Sequence, residues 1–419
     1  MADLLTELSS RELVRDVTPG LAARLTRGPI TGYVGFDPTA ESLHVGNLVP
    51  VMALAWLQRL GGRPLVIVGG GTGMVGDPSG KRSERPMLST EQVGRNVAAM
   101  RGQLERFLDF TGPRAAKLFN NAKWLTPVTL LEFLRDTGKH FTIGYMLQKE
   151  SVKSRLETGI SFTEFAYMLV QAHDFEHLHR TEGCELQMGG SDQWGNITAG
   201  IELIGKKHGK EVHGLTLPLL TTASGAKFGK SEGGNVWLDP EKTSPYAFYQ
   251  FWINQDDRDV ARMLTLFTFK PADEIAGIMT DHVAAPERRA AQRILAAEMT
   301  ARIHGDDALK RAESAAAALF SGGPADGDAL RDMEMPEVQI GAGEFGDGMA
   351  VVEVLVRAKL ASSKADARRG IEGRGFYLGN EAITDVAARL EAAALDRVDG
   401  ALVAILRKGK RNYVRVVVK

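Results

Sequence analysis

The chain has little cysteine and no long apolar segment, and its charges nearly cancel. A single cysteine, Cys184, excludes an intramolecular disulfide framework and indicates a reducing compartment. No apolar run is long enough to span a bilayer, and residues 1–16 alternate charge with leucine instead of forming a signal peptide. We therefore expect a cytoplasmic protein without a membrane partner. A net charge of −1 over 419 residues means that any nucleic-acid site must be a local patch.

Strand and helix patterns alternate in the first half of the chain. "TGYVGF" at 31–36 is typical of a short strand, residues 47–62 have helical apolar spacing, and "RPLVIVGGG" at 63–71 is typical of a buried strand. This order predicts a parallel crossover unit that binds ligands beyond the carboxyl ends of its strands. Mostly helical pattern follows from about 88 to 180, and "LTLPLLTT" at 215–222 returns to strand.

The second half predicts helices and then a separate small unit. Residues 286–305 form a helical pattern with proline at the first position and glycine just past the end. Glycine-rich stretches at 321–329 and 341–348 indicate a linker, after which about seventy residues remain. The length of the chain likewise predicts two or three domains.

A glycine pattern in the first half is compatible with an enzyme that binds a dinucleotide, such as a dehydrogenase. "GTGMVG" at 71–76 matches G-x-G-x-x-G directly after a predicted strand. However, the following residues 77–86 contain two prolines and no apolar period, so no helix opens there to face a pyrophosphate. This missing context disfavours a dehydrogenase.

Two loops combine cations with glycine. The loop at 77–86 offers Asp77 for an ammonium group and a set of cations for a polyphosphate: Lys81, Arg82 and Arg85. In "AKFGKSEGG" at 226–234, Lys227 and Lys230 can close on a phosphoryl group and balance charge as pyrophosphate leaves. Each pattern alone is also typical of an exposed basic loop.

Polar side chains share one face of a predicted helix. Tyr167, Gln171 and Asp174 lie at spacings of four and three, and burying them without partners would be costly. We interpret them as the lining of a polar ligand site. A second polar group, Asp192 and Gln193, follows the paired glycines of "CELQMGGSDQWGN"; a capped helix start is the alternative.

The histidines near this helix do not predict a metal site. His173, His177 and His179 have no suitably paired cysteine or acidic ligand.

These motifs together resemble the bacterial-type tyrosyl-tRNA synthetases. "HVGN" at 44–47 is similar to the HIGH signature of class I aminoacyl-tRNA synthetases, and "KFGKS" at 227–231 to their KMSKS loop. "GDPSGKRSER", "GISFTEFAYMLVQAHDF", "GGSDQWGNITAG" and "KTSPYAFYQFWIN" resemble tyrosine-specific members. The likeness runs from about residue 30 to the C-terminus.

The resemblance implies an α/β fold with a Rossmann-type parallel sheet, followed by a helical domain and a small α+β domain. The implied divisions are a catalytic domain at 1–235 with a helical dimer-interface insertion at about 112–160, an α-helical domain at 236–320, a linker at 321–345 and an S4-like RNA-binding domain at 346–419. The implied activity is that of a tyrosine–tRNA ligase. It activates L-tyrosine with ATP, accompanied by Mg²⁺, and transfers it to the 3′ end of tRNA(Tyr); the family forms homodimers.

Two other functions remain open on the residues alone. One is a synthetase of the same class that selects another aromatic amino acid, most readily tryptophan. The other is an RNA-binding protein that keeps a synthetase fold for structural or splicing work.

The resemblance also implies residue roles at matching positions. The tyrosine-binding residues are Tyr33, Asp77, Tyr167, Gln171, Asp174 and Gln193. The ATP-binding residues are Gly35, Asp37, Thr39, His44, Gly46, Asn47, Asp192 and Lys230. The catalytic residues are His44, Thr39, Lys81, Arg85, Lys227 and Lys230. The RNA-binding residues are Lys359, Lys364, Arg368, Arg369, Arg374, Lys408, Lys410 and Arg411.

One position departs from the family signature. Asn47 stands where the HIGH motif ends in histidine. Asparagine keeps both a donor and an acceptor at neutral pH, so a hydrogen bond to ATP survives this change whereas a titrating role would not. We therefore predict a positioning role for Asn47.

Overall fold

The structure is a computed structural model. It describes residues 3–38, 40–77, 79, 89–153, 155–156, 159–226, 228–231, 234–321, 336–379, 381–398, 400–409 and 412–419. The chain divides into two compact units. The first comprises Met1–Asp239 and Gln255–Leu295, and the second comprises Pro240–Asn254 and Ala296–Lys419.

Helices occur throughout both units. In chain order they are α1 (Leu4–Ser10), α2 (Leu21–Leu25), α3 (Leu48–Arg59), α4 (Thr90–Leu104), α5 (Ala122–Leu125), α6 (Leu130–Asp136), α7 (Ile143–Leu147), α8 (Glu150–Lys153), α9 (Phe162–Glu182), α10 (Trp194–His208), α11 (Pro245–Ile253), α12 (Asp257–Phe267), α13 (Ala272–Ala284), α14 (Ala290–His304), α15 (Asp306–Ser321), α16 (Ala342–Phe345), α17 (Val351–Arg357) and α18 (Lys364–Glu372). Among the helices of the described residues, none is long and apolar enough to cross a membrane.

Strands form one main sheet in each unit. They are β1 (Asp16–Val17), β2 (Thr31–Phe36), β3 (Arg63–Val68), β4 (Lys117–Asn120), β5 (Leu186–Gly190), β6 (His213–Leu217), β7 (Lys230–Ser231), β8 (Gly234–Asn235), β9 (Glu337–Ile340), β10 (Gly348–Ala350), β11 (Phe376–Leu378), β12 (Glu381–Ala382), β13 (Arg389–Glu391), β14 (Asp396–Val398), β15 (Ala401–Lys408) and β16 (Asn412–Val418).

The sheet of the first unit has the strand order β1-β6-β5-β2-β3-β4. Strands β2 to β6 pair in parallel, and only the short β1 is antiparallel. β3 is almost wholly apolar and buried, as expected for a parallel strand covered on both faces. Helix α3 covers β2 and β3 with nine buried residues. The predicted parallel α/β fold is thus confirmed.

Helix α9 carries the polar face predicted from the sequence, and its ends follow from local chemistry. Ser161 and Glu164 form a capping box, with both backbone-to-side-chain distances at 3.2 Å. The helix ends at Gly183, which has a φ of 65°. Cys184 follows with no exposed surface, and burial raises the pKa of its thiol far above the usual value.

The structure differs from the predicted elements in three places. The strand expected over 215–222 runs over His213–Leu217. The helix expected over 286–305 starts at Ala290, because Pro286–Arg288 forms a 3-10 turn and Arg289 takes a φ of 51°. The stretch from about 88 to 180, predicted as mostly helical, also contains β4, which pairs with β3.

The second unit contains a mixed sheet with the path β12-β11-β15-β16-β9. α18 begins after Ser363, whose side chain accepts from the amide of Asp366. Part of the 321–345 stretch, predicted as a linker, is a strand. This strand is β9, whose Val338 pairs in parallel with Val416 of β16. The boundaries between the four predicted divisions stay a prediction.

Candidate functional site

A cleft of about 420 Å³ opens at the carboxyl ends of the parallel strands in the first unit. Its walls include Gly35 and Phe36 from β2, Gly189 and Gly190 from β5, and Leu217 from β6. Ligands of open parallel sheets bind at this edge, because the strand ends and the loops beyond them form a crevice there. The cleft therefore lies where the sequence predicted a ligand site.

All six residues predicted to bind tyrosine line the cleft: Tyr33, Asp77, Tyr167, Gln171, Asp174 and Gln193. They come from β2, the loop after β3, α9 and the turn before α10. These elements are far apart in sequence, and the sheet brings them to one place.

One end of this group is a network of amides around a carboxylate. Gln193 Nε2 donates to Asp77 Oδ2 at 2.6 Å, and Gln171 Nε2 donates to Gln193 Oε1 at 3.1 Å. The second oxygen of Asp77 accepts from the amide of Ser79 at 2.9 Å. Each carboxylate oxygen can accept further bonds, so the buried Asp77 is suited to a cation such as an ammonium group.

The other end presents a phenol and a carboxylate. Tyr33 is 2% exposed, and its hydroxyl has no hydrogen-bond partner within the part of the chain that the structure describes. Burial raises the pKa of Tyr33 well above its usual value, and the charge of Asp174 raises it further. Tyr33 therefore stays protonated and can both donate and accept a hydrogen bond.

Asp174 is held by two donors that the sequence did not reveal. Asn121 Nδ2 donates to Asp174 Oδ2 at 2.8 Å, and Trp124 Nε1 donates to Asp174 Oδ1 at 2.7 Å. Burial raises the pKa of Asp174 to about 7, although these two bonds act to lower it. The carboxylate is therefore oriented by protein donors while its charge remains costly to bury.

The cleft is also lined by the phenol of Tyr167, the hydroxyl of Thr72 and the amide of Gln187. Burial raises the pKa of Tyr167 well above its usual value, and the nearby carboxylates of Asp37 and Asp77 add to this effect. A hydrogen bond with the side chain of Thr72 opposes part of that shift. Gln187 also lines the cleft, and its Oε1 is buried without a partner among the described residues.

The turn at 44–47 forms the opposite part of the cleft. The backbone N–H of His44 donates to Asn47 Oδ1 at 3.0 Å, so Asn47 closes the turn through its side chain. A Cβ on Gly46 would lie 2.8 Å from Cε1 of His44. A side chain at this position would therefore have to displace the imidazole of His44.

The segment around Phe228 packs on this turn. The amide of Val45 donates to the carbonyl of Val236 at 2.9 Å, and the amide of Val236 donates to that of Gly229 at 3.1 Å. Gly229 has a φ of 86°, and a Cβ there would lie 3.0 Å from the amide nitrogen of Gly46. The two signature segments predicted from the sequence are therefore adjacent.

Some of the residues predicted to bind ATP or to act in catalysis line the cleft, and the others lie outside the described residues. Six of the ATP-binding set line the cleft: Gly35, Asp37, His44, Gly46, Asn47 and Asp192. Thr39, Lys81, Arg85 and Lys227 lie outside the described residues, as does the side chain of Lys230. The N-cap position of α10 is Gln193, and its side chain makes no cap bond.

Six predicted RNA-binding cations are exposed in the second unit: Lys359, Lys364, Arg368, Arg369, Arg374 and Lys408. Hydrogen bonds with Ser362 lower the pKa of Asp366 on α18, and the charge of Lys408 adds a smaller effect in the same direction, so the end of β15 and this helix are neighbours. Lys410 and Arg411 lie outside the described residues.

Within the described ranges, no group of three or more His, Cys, Asp or Glu side chains is arranged to hold a metal ion. The three histidines considered above have other partners. His173 contacts Thr137, His177 stacks on Trp124 at 4.4 Å, and His179 Nδ1 lies 2.8 Å from the carbonyl of Cys184.

Comparisons with known proteins agree with this geometry. Residues 25–321 match the family model "tRNA synthetases class I (W and Y)", and residues 329–416 match the "Tyrosine--tRNA ligase SYY-like C-terminal domain". The chain is 58% identical to a tyrosine–tRNA ligase of Anaeromyxobacter dehalogenans over the full length of both. It is 52% identical to one from Roseiflexus castenholzii over 99% of each chain.

The fold is also similar to that of a tyrosyl-tRNA synthetase whose structure has been solved. The C-terminally truncated mitochondrial tyrosyl-tRNA synthetase of Aspergillus nidulans is similar with a TM-score of 0.69 and 35% identity, over 76% of this chain and 95% of that one. The full-length likeness to tyrosine–tRNA ligases also separates the chain from the tryptophan-specific alternative. The chain belongs to the tyrosine–tRNA ligases, a family of class I aminoacyl-tRNA synthetases.

Proposed function

We propose that the cleft binds L-tyrosine end-on to ATP, with the phenol between Tyr33 and Asp174 and the ammonium group at Asp77. The single observation that carries this proposal is the distribution of polar groups along the cleft. A buried phenol hydroxyl without a described partner lies at one end, and an amide-bound carboxylate lies at the other. These groups complement the two polar ends of tyrosine.

Selectivity against phenylalanine follows from the phenol end. A substrate without a hydroxyl would leave the buried Tyr33 hydroxyl without a partner among the described residues, and Asp174 with only its bonds to Asn121 and Trp124. Unpaired buried polar groups are costly, so the site rejects the analogue that lacks the hydroxyl. Tyrosyl-tRNA synthetases are themselves the usual example of this kind of discrimination.

Activation begins with attack of the tyrosine carboxylate on the α-phosphorus of ATP. The bond from that phosphorus to the bridging oxygen breaks, and pyrophosphate leaves with the negative charge. His44, in the turn at 44–47, and the cations Lys81, Arg85, Lys227 and Lys230 are proposed to meet this charge, with Thr39. Asp37, Gly46, Asn47 and Asp192 would position the nucleotide. The reaction needs no protein nucleophile.

Mg²⁺ would arrive bound to the phosphates of ATP. The described residues offer no dedicated cluster of ligands for it, so ATP itself would supply most of the oxygen ligands of the ion.

The second reaction transfers tyrosine from the adenylate to a terminal ribose hydroxyl of tRNA(Tyr). The proposed contact surface is the exposed basic group on α18 and at the end of β15. Each phosphate that such cations neutralise releases counterions, which favours RNA binding in spite of the near-zero total charge.

The protein is further proposed to act in the cytoplasm as a homodimer. Of the eleven exposed large apolar side chains in the described residues, seven lie between 130 and 162: Leu130, Leu131, Leu134, Ile143, Leu147, Leu156 and Phe162. Phe141, by contrast, is buried. Such a concentration of exposed apolar side chains marks an association surface.

The direct test is ATP–pyrophosphate exchange with single amino acids. Tyrosine should support exchange, while phenylalanine and tryptophan should support far less. Exchange that depends on tryptophan, or on no amino acid, would contradict the proposed pocket.

A further inference from the structure

Helix α12 contacts the segment that leads into the KMSKS-like loop. We call residues 220–226, Phe228 and Gly229 the loop base. The rings of Phe228 and Phe267 stack with centroids 5.4 Å apart and planes at 18°. Both side chains are buried, Phe228 at 4% exposure and Phe267 at 0%. An offset aromatic pair of this kind fixes the position of both rings.

A second contact joins the same two elements. Both oxygens of Asp259 accept from the backbone N–H of Ala223, at 2.9 and 3.1 Å. Asp259 occupies the third position of α12, where an acidic side chain usually bonds back to its own helix. Here the carboxylate reaches a different segment, and it is 6% exposed.

The loop base is itself a closed turn. The amide of Thr222 donates to the carbonyl of Ala226 at 2.9 Å, and the amide of Phe228 donates to that of Leu220 at 3.0 Å. Asp259 therefore holds one end of a rigid turn, and Phe267 holds the other. Gly229, at the end of the loop base, lies against the 44–47 turn.

α12 is anchored on its far side by the N-terminal region. Arg11, which is 5% exposed, donates to the carbonyls of Thr265 and Thr268 at 3.0 and 3.1 Å. Its guanidinium also lies 4.0 Å from the ring centroid of Trp56 on α3. Since α3 begins directly after the 44–47 turn, the helix that holds the loop base is fixed to the element that carries the other signature.

We propose that α12 is a platform that holds the loop base against the 44–47 turn, with Phe267 and Asp259 as positioning residues for the activation step. Neither residue lines the cleft, so both would act through the backbone of the loop base. This inference rests on the proposed role of the KMSKS-like loop in pyrophosphate release.

The test uses Asp259→Ala and Phe267→Leu in the full-length protein. We expect the maximal rate of tyrosine-dependent pyrophosphate exchange to fall about tenfold, with tyrosine affinity nearly unchanged. The thermal midpoint should fall by only a few degrees, because the removed contacts are buried but local. Asp259→Asn keeps one acceptor oxygen for Ala223 and should recover most of the rate. Phe110→Leu is the matched control, because the Phe110 ring lies 5.0 Å from the guanidinium of Arg101 on α4 and belongs neither to the loop base nor to the anchor of α12.

Limited proteolysis gives a second measurement, which does not depend on the role of the loop in the reaction. Trypsin can cleave after Lys227 and Lys230, and mass spectrometry identifies the sites. Faster cleavage at these lysines in Asp259→Ala and Phe267→Leu, together with the lower rate, supports the platform. Unchanged cleavage, or an equal loss of rate in Phe110→Leu, would overturn it. Faster cleavage with a normal exchange rate would instead refute the proposed catalytic role of the loop, and the positioning role with it.

Discussion

Gly229 meets Gly46 backbone to backbone: a Cβ on Gly229 would lie 3.0 Å from the amide nitrogen of Gly46 and 3.0 Å from Val45 Cγ2. The two glycines belong to segments separated by more than 180 residues of sequence. Their contact is the physical link between the two signature motifs, and it leaves no room for a side chain.

Gly229→Ala should therefore impair activation through displacement of the 44–47 turn. We expect the exchange rate to fall about fivefold to tenfold, since the clash demands a shift of the turn and the left-handed backbone is also strained. Gly225→Ala is the control. It carries a similar strain at a φ of 83°, but a Cβ there meets nothing within 4 Å. Equal losses in the two variants would show that backbone strain, and not the contact with Gly46, is responsible.

Asp174→Ala should damage tyrosine recognition selectively. The loss of a charged hydrogen bond to the phenol is worth about 1.5–3 kcal/mol, so kcat/KM for tyrosine should fall about 10- to 150-fold. The KM for ATP should change little. Because general misfolding lowers activity toward every amino acid alike, the ratio of tyrosine to phenylalanine exchange is the measurement. A preserved ratio would remove Asp174 from the phenol site.

Tyrosine binding should weaken as the pH falls through about 7. The pKa of Asp174 is raised to about 7, so the carboxylate that accepts from the phenol predominates above that pH and is lost below it. Tyrosine affinity, measured by equilibrium dialysis without ATP, should fall about tenfold between pH 8 and pH 6. Trp124→Phe removes a donor that lowers the pKa of Asp174, so the midpoint should move to higher pH. A flat profile in both proteins would exclude this titration.

The basic group on α18 should contribute to tRNA binding but not to activation. We expect the triple change Lys364→Gln, Arg368→Gln and Arg369→Gln to weaken tRNA binding and to lower its salt dependence by about 0.9 per lost phosphate contact. Pyrophosphate exchange without tRNA should be normal. Lys310→Gln, at an exposed lysine on α15, serves as the control. An unchanged salt slope would refute the assignment.

Leu131→Asp should produce monomers. Leu131 is 79% exposed within the apolar segment at 130–162, and a buried unpaired carboxylate would oppose association there. Val283→Asp introduces the same charge at a residue 73% exposed outside that segment, and it should leave the mass unchanged. Light scattering after size-exclusion chromatography measures both masses. A wild-type protein that is already monomeric would contradict the dimer proposal.

The sequence revealed those parts of the site that depend on local periodicity. Tyr167, Gln171 and Asp174 lie on one face of α9 because the helical repeat places them there, and all three reach the cleft. The signature segments were likewise visible as short motifs. In each case the information lies within a few residues of the feature.

Long-range partners could not be found in this way. Asn121 binds Asp174 across 53 residues of sequence, and it does so because the four-residue strand β4 ends beside α9. So short a strand carries too little alternation to stand out from a helical stretch. β9 is also only four residues long, and it lies in the stretch predicted as a linker. What makes it a strand is its pairing with β16, which lies more than 70 residues later in the sequence.

The burial of Cys184 has a practical consequence. A thiol with no exposed surface and a pKa far above neutrality reacts negligibly with maleimides, because the reacting species is the thiolate. A single cysteine introduced at an exposed position, such as Ser224→Cys in the loop base, would then be the chain's sole labelling site without removal of the native residue. A fluorophore there would report the position of the loop base during turnover in an otherwise unaltered protein.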